Sequence, residues 1–225
     1  MSEFIAGALS GTAQTLSGHP LDTIKVRQQN NASMRGMLWT DYYRGIQFPL
    51  LSGTIINSIV FGVYYNTKKN MDSSLLSGFL AGTAGSPVVF AFDLYKTKRQ
   101  MGYPIKLNML IRNRGFLATF GRESTAFASY FATYEYLRQN NLNILMSGAI
   151  AGLINWTVSY PLDVIRNRQI SENISFKEAY QKGYLWRGYS VCAARALLVN
   201  SIGFYVYEIV RDQFVAHESV NKKEY

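Results

Sequence analysis

One pattern occurs three times along this 225-residue chain, and it restricts the fold more than any other feature. In the first copy Gly7 and Gly11 stand four apart, and Pro20-Leu21-Asp22-Thr23-Ile24-Lys25-Val26-Arg27 follows. In the second, Gly78 and Gly82 precede Ala91-Phe92-Asp93-Leu94-Tyr95-Lys96-Thr97-Lys98. In the third, Gly148 and Gly152 precede Pro161-Leu162-Asp163-Val164-Ile165-Arg166-Asn167-Arg168. A second element recurs downstream as Tyr43-Arg44-Gly45, Asn113-Arg114-Gly115 and Trp186-Arg187-Gly188. A third begins at Tyr64, Tyr134 and Tyr207, each nineteen residues after the preceding glycine. Chance does not readily give three elements, three times, at fixed spacing. Self-similarity of this kind marks a repeat architecture. The repeats divide the chain into 1–70, 71–140 and 141–215, with a polar tail at 216–225.

Each repeat holds two apolar segments joined by a short polar stretch. Helices are expected near 3–29, 46–69, 73–101, 115–139, 142–170 and 189–213. Each is longer than the roughly 20 residues that cross a bilayer core. Helices satisfy their own backbone groups, as lipid requires. Six spans put both termini on one side, and the glycine pairs let backbones approach closely. Pro20 and Pro161 are expected to kink the first and fifth helices, with Pro87 taking that part in the third, where Ala91 replaces the proline. The fold class is therefore an all-α membrane protein.

Charge inside apolar helices is costly unless paired. Asp22 and Lys25, Asp93 and Lys96, and Asp163 and Arg166 each sit three apart. They can pair within their own helix, or each acid can reach the base of another repeat and close a ring that opens and shuts as a gate. A second charge set lies at the other ends of the even helices: Glu135, Glu208, Lys68, Arg138 and Arg211. Tyr65 stands where the first repeat would supply its acid, so this second gate is expected to be incomplete.

The net charge is +9, with 23 Lys and Arg against 14 Asp and Glu. The bases are dispersed and no recognition motif accompanies them, which argues against nucleic-acid binding. They suit loop solubility, anionic lipid or an anionic solute. Cys192 is the only cysteine, and His19 and His217 are far apart, so neither a disulfide, a metal cluster nor a catalytic histidine site is expected. No nucleophile and base come together, so no enzyme and no cofactor are expected. Met1-Ser2-Glu3 lacks the charged start of a cleavable signal.

These elements resemble the mitochondrial carrier signature, Pro-x-[Asp/Glu]-x-x-[Lys/Arg]-x-[Lys/Arg] followed by aromatic-[Lys/Arg]-Gly, over nearly the whole chain. The resemblance implies a monomer of the inner mitochondrial membrane, multi-pass, with six tilted helices in pseudo-threefold order around a central cavity that opens alternately to each side. By matching position it implies a matrix gate of Asp22 with Lys96, Asp93 with Arg166 and Asp163 with Lys25, braced by Gln29 and Gln100, with Ile170 in the third repeat. It implies a cytoplasmic gate of Glu135 with Arg211 and Glu208 with Lys68, leaving Arg138 opposite Tyr65. It also implies cardiolipin at Gly45, Gly115 and Gly188.

The stretches near 30–42, 101–112 and 171–185 are short for the family, and the acid-glycine element before the aromatic is missing, so the matrix helices are expected to be rudimentary. This compactness is similar to that of a carrier encoded by a giant DNA virus, in which case the membrane would be the host's.

Seven residues after each repeated glycine lie Ser52, Arg122 and Arg195, which match the family's substrate contacts. Glu123 follows Arg122, and such an arginine-acid pair resembles carriers of amino acids and carnitine-like amines. Arginine would take a carboxylate and Glu123 an ammonium. The alternative is nucleotide exchange, with Arg122 and Arg195 clamping a polyphosphate. A membrane scaffold would explain the apolar helices and leave the paired charges unexplained.

Overall fold

The computed structural model describes residues 2–104 and 108–221, with the side chains of 2–8, 145, 200, 204, 207, 208, 211, 212 and 214–221 outside that description. Six long helices dominate: α1 (Ser2–Gln29), α2 (Gln47–Asn70), α3 (Ser74–Gln100), α5 (Phe116–Gln139), α6 (Ile144–Glu172) and α8 (Tyr189–Asn221). The expected boundaries differ from these by two residues at most, except at the end of α8, which runs into the segment read as a polar tail. Among the described residues, the short stretches between the paired helices carry only a 3₁₀ turn at Trp39–Tyr43, α4 (Met109–Arg112) and α7 (Phe176–Gln181).

The sequence explains the ends. Ser73 and Asn143 cap α3 and α6 by accepting the Leu76 and Met146 amides. Asn31, Asn141 and Asn173 turn the chain out of helices in the left-handed region, which asparagine tolerates better than most residues. Pro20, Pro87 and Pro161 lie inside α1, α3 and α6. A proline strands the carbonyl four residues earlier. For Pro87 that carbonyl is Thr83's, and the Ser86 hydroxyl donates to it at 2.8 Å.

The packing is inverted relative to a protein that folds in water. Leu16, Leu51, Leu75, Leu117, Leu153 and Leu197, one from each long helix, are exposed. Thr23, Gln29, Gln100, Asp163 and Arg168 are buried. Polar groups inside and leucine outside is the arrangement a bilayer favours. By length and apolarity alone, the described residues contain two candidate spans, Trp39–Asn70 and Ser74–Gln100. The other long helices are long enough, but the charges they carry inward lower their hydropathy.

Around the molecule α2 packs on α3, α3 on α5, α5 on α6, and α8 on α1. Tyr160 and Val164 of α6 meet Cys192 of α8 in a buried cluster. The glycine pairs do not behave alike. A Cβ on Gly82 would lie 2.4 Å from the Glu123 carbonyl, and one on Gly78 would lie 2.6 Å from the Phe127 carbonyl. Here α3 and α5 touch backbone to backbone. Gly11, Gly148 and Gly152 have nothing within 4 Å of an added Cβ, so the expected close approach is corrected at those three positions.

Gly82→Ala is therefore expected to destabilise the detergent-solubilised protein by about 1–3 kcal/mol through forced separation of α3 and α5. Gly152→Ala is expected to be neutral, or to stabilise it by up to about 1 kcal/mol through helix propensity. Thermal unfolding of the two variants measures the contrast.

Candidate functional site

The inward faces of the long helices enclose a cavity of about 450 Å³. Its lining carries five bases, Lys25, Lys96, Arg122, Arg166 and Arg195, and four acids, Asp22, Asp93, Glu123 and Asp163. The carboxylates and bases of the repeated motif lie on one face of α1, α3 and α6 because three residues make nearly one helical turn. The three helices therefore present them to one another at one level.

At that level the ion pairs run between repeats. Lys96 Nζ lies 2.8 Å from Asp22, Arg166 Nη1 lies 2.7 Å from Asp93, and Lys25 Nζ lies 2.7 Å from Asp163. The ring is not symmetric. Arg166 also binds Asp163 of its own helix at 2.8 Å and Glu123 at 3.4 Å. Asp163 is wholly buried, whereas the Asp93 side chain keeps 26% of its surface exposed. Gln29 donates to Asp163 at 3.1 Å and accepts from Asn167 at 2.6 Å, so it braces the ring. Gln100 donates to the Thr23 hydroxyl and, among the described bonds, touches no carboxylate of the ring. Ile170, in the third brace position, is buried against Phe90 and Leu94.

Above the ring, Arg122 Nη1 lies 2.5 Å from Glu123, and its Nε lies 3.8 Å from Asp163. Arg195 of α8 forms an ion pair with Asp22. The guanidinium passes close to Gly18, where an added Cβ would lie 2.6 Å from Val199 and 3.3 Å from Arg195 Nε. Trp156 lines the same space, with Lys25 Nζ 4.6 Å and the Arg122 guanidinium 5.0 Å from its ring centre. Ser52 is buried but is not part of the lining; α2 contributes Ile56 and Asn57, one turn further along. The expected contact shifts because the glycine-plus-seven register ignores how α2 is rotated against α3.

Trp156, Asn57 and Asn167 were missed by the motif reading. Trp156 precedes Asp163 by seven residues and Asn167 follows it by four, so the helical period was the available signal.

At the outer end the expected pairs of Glu135 with Arg211 and of Lys68 with Glu208 both reach side chains outside the described residues. Among the described residues, Lys68 Nζ lies 2.9 Å from Glu135. The Ser74 and Tyr64 hydroxyls also donate to Glu135. Tyr64 of α2 stacks on Phe131 of α5 with ring centres 3.6 Å apart. Tyr65 is exposed, and Arg138 donates to the Leu142 carbonyl at 2.6 Å. The side chains of Glu208 and Arg211 lie outside the described residues. Gly45, Gly115 and Gly188 sit where α2, α5 and α8 begin, facing Lys96, Ile170 and Lys25 of the odd helices.

Because Arg166 holds three carboxylates, Arg166→Gln is expected to cost about 3–5 kcal/mol of stability. Asp93→Asn is expected to cost clearly less, since Asp93 is partly solvated and Arg166 keeps two partners. Unfolding in detergent ranks the two.

Residues 1–74 and 138–218 match the family model for mitochondrial carrier proteins. The chain is 32% identical to the mitochondrial arginine transporter BAC2 of Arabidopsis thaliana, over 92% of this chain and 89% of that protein. It is 29% identical to the mitochondrial basic amino acids transporter of Rattus norvegicus, covering 92% and 88%. It is 28% identical to solute carrier family 25 member 45 of Homo sapiens, covering 92% and 97%. The first of these alignments runs over 264 positions, more than the 225 residues here, so that relative contains segments this chain lacks.

Proposed function

The chain belongs to the mitochondrial carrier family and is a multi-pass transporter of the inner mitochondrial membrane, and we propose that it exchanges basic amino acids, arginine foremost, across that membrane by alternating access. The observation that carries this reading is that the cavity's opposite charges are already paired, with one base in excess. A neutral solute would gain little there. A solute bearing both a carboxylate and a cation can trade partners with the existing pairs.

The α-carboxylate would take Arg195 from Asp22. The side-chain cation would take Glu123 from Arg122, with its flat face against Trp156. The names of the two basic amino acid relatives support the same class. A nucleoside triphosphate suits the site less well. Freeing enough bases for its phosphates would strand Asp22, Glu123 and Asp163.

In this reading the six long helices each cross the bilayer, one pair per repeat at 1–70, 71–140 and 141–215. The ring of Asp22, Lys25, Asp93, Lys96, Asp163 and Arg166 is the matrix gate. Lys68 and Glu135 form the surviving part of the cytoplasmic gate. The carrier acts as a monomer. Cardiolipin would sit by the aromatic-Arg-Gly elements, where grooves run past Asn113, Arg114 and Phe116 and past Tyr184, Trp186 and Arg187.

Uptake of labelled arginine, lysine, carnitine and ATP into arginine-loaded liposomes tests this. Arginine exchange is expected in wild type and none in Arg195→Ala. Glu123→Gln is expected to lower arginine uptake about tenfold or more, because a charge-assisted bond becomes a neutral one. ATP uptake undiminished in Glu123→Gln, without arginine uptake, would overturn the reading in favour of nucleotide exchange.

A further inference from the structure

Each copy of the motif carries a second base two residues after the gate base: Arg27, Lys98 and Arg168. Lys98 and Arg168 are buried. All three donate to the same kind of acceptor. Arg27 Nη1 reaches the Gln100 carbonyl at the end of α3, at 3.1 Å. Lys98 Nζ reaches the Ser171 carbonyl near the end of α6, at 2.6 Å. Arg168 Nε reaches the Gln29 carbonyl at the end of α1, at 3.0 Å. Carbonyls in a last turn lack the amide of a following turn, and the helix dipole is negative there, so a cation is the favoured partner.

The three bonds run around the axis in the opposite sense to the ion pairs. Lys25 of the first repeat reaches Asp163 of the third, whereas Arg27 reaches the second. Donor and acceptor lie on different odd helices in every case. A cap within one helix would survive separation of the helix ends; these bonds would not.

We infer that Arg27, Lys98 and Arg168 are positioning residues that form a second closure beneath the ion-pair ring, holding the three odd helix ends together when the matrix side is shut and releasing them when it opens. Release leaves two of the donors with partners. Arg27 also donates to the Ser33 carbonyl at 3.1 and 2.5 Å, within its own repeat. Arg168 also donates to the Ala179 and Gly183 carbonyls at 2.9 and 2.8 Å. The guanidinium groups therefore need not be stranded when the helix ends part. The inference rests on the alternating-access reading.

The test uses the full chain with Cys192→Ala and one reporter, Asn57→Cys, in the central cavity. A membrane-impermeant thiol reagent is applied from either face of sealed vesicles. Arginine-dependent change in the parent's labelling tests alternating access itself; the difference between variants and parent tests the closure. Arg27→Gln and Lys98→Gln are each expected to raise matrix-face labelling relative to the opposite face about tenfold, the loss of one hydrogen bond to a charged group. Arg27→Lys is expected to restore most of the parent ratio. Arg168→Gln is the variant with most structure to lose, so the two milder variants carry the test. A lowered melting temperature with an unchanged labelling ratio would overturn the inference and leave the bases with a structural role only.

Discussion

A charge taken out of water into the middle of a helix bundle must find an opposite charge or a set of donors. The rest of the structure follows from how Asp163 meets that demand. It is wholly buried, and Lys25, Arg166, Gln29 and Asn167 all converge on it. Lys25 and Gln29 come from α1, and Arg166 goes on to Asp93 of α3 and Glu123 of α5. One carboxylate thus fixes the relative placement of four helices and closes one end of the cavity. Three pairs of the ring join different repeats, whereas Arg166 and Asp163 also pair within α6.

The sequence repeats three times, but the structure does not repeat equally. Among the described glycines of the three pairs, only Gly78 and Gly82 lie against the backbone of the next helix. Gln29 bonds to the ring carboxylate Asp163, while Gln100 bonds to Thr23. At the outer end the Lys68–Glu135 pair joins the first and second repeats, and Tyr65 offers no acid. A ligand with a carboxylate at one end and a cation at the other has no threefold symmetry. In the proposed reading, Arg195 on one side and Glu123 with Trp156 on another suit such a ligand better than an equal ring would.

The helix count and nearly every helix boundary were legible in the sequence because they depend on periodicity. The partners in the inner ring were implied only by the family resemblance, since the residues alone left pairing within one helix open. Ser52 lies buried outside the cavity lining, a matter of helix rotation that position along a helix does not give. The stacking of Tyr64 on Phe131 is a contact between helices some seventy residues apart in sequence. Trp156 reads as an ordinary apolar residue until Lys25 and Arg122 are seen against its ring. The second bases appear in the motif, but their acceptors are backbone carbonyls, and a carbonyl leaves no trace in the identity of the residue that bears it.

The central claim is that the ion-pair ring is a gate that parts during transport. Spin labels at Asn31 and Asn173, just past the ends of α1 and α6, report the spacing of two of its three walls. Pulsed electron resonance on the reconstituted carrier, with and without arginine, measures that spacing directly. The account predicts a second, longer distance population in the presence of arginine, enlarged further when Lys25 is replaced by glutamine. A single unchanged distance under conditions in which arginine exchange is measured would contradict it.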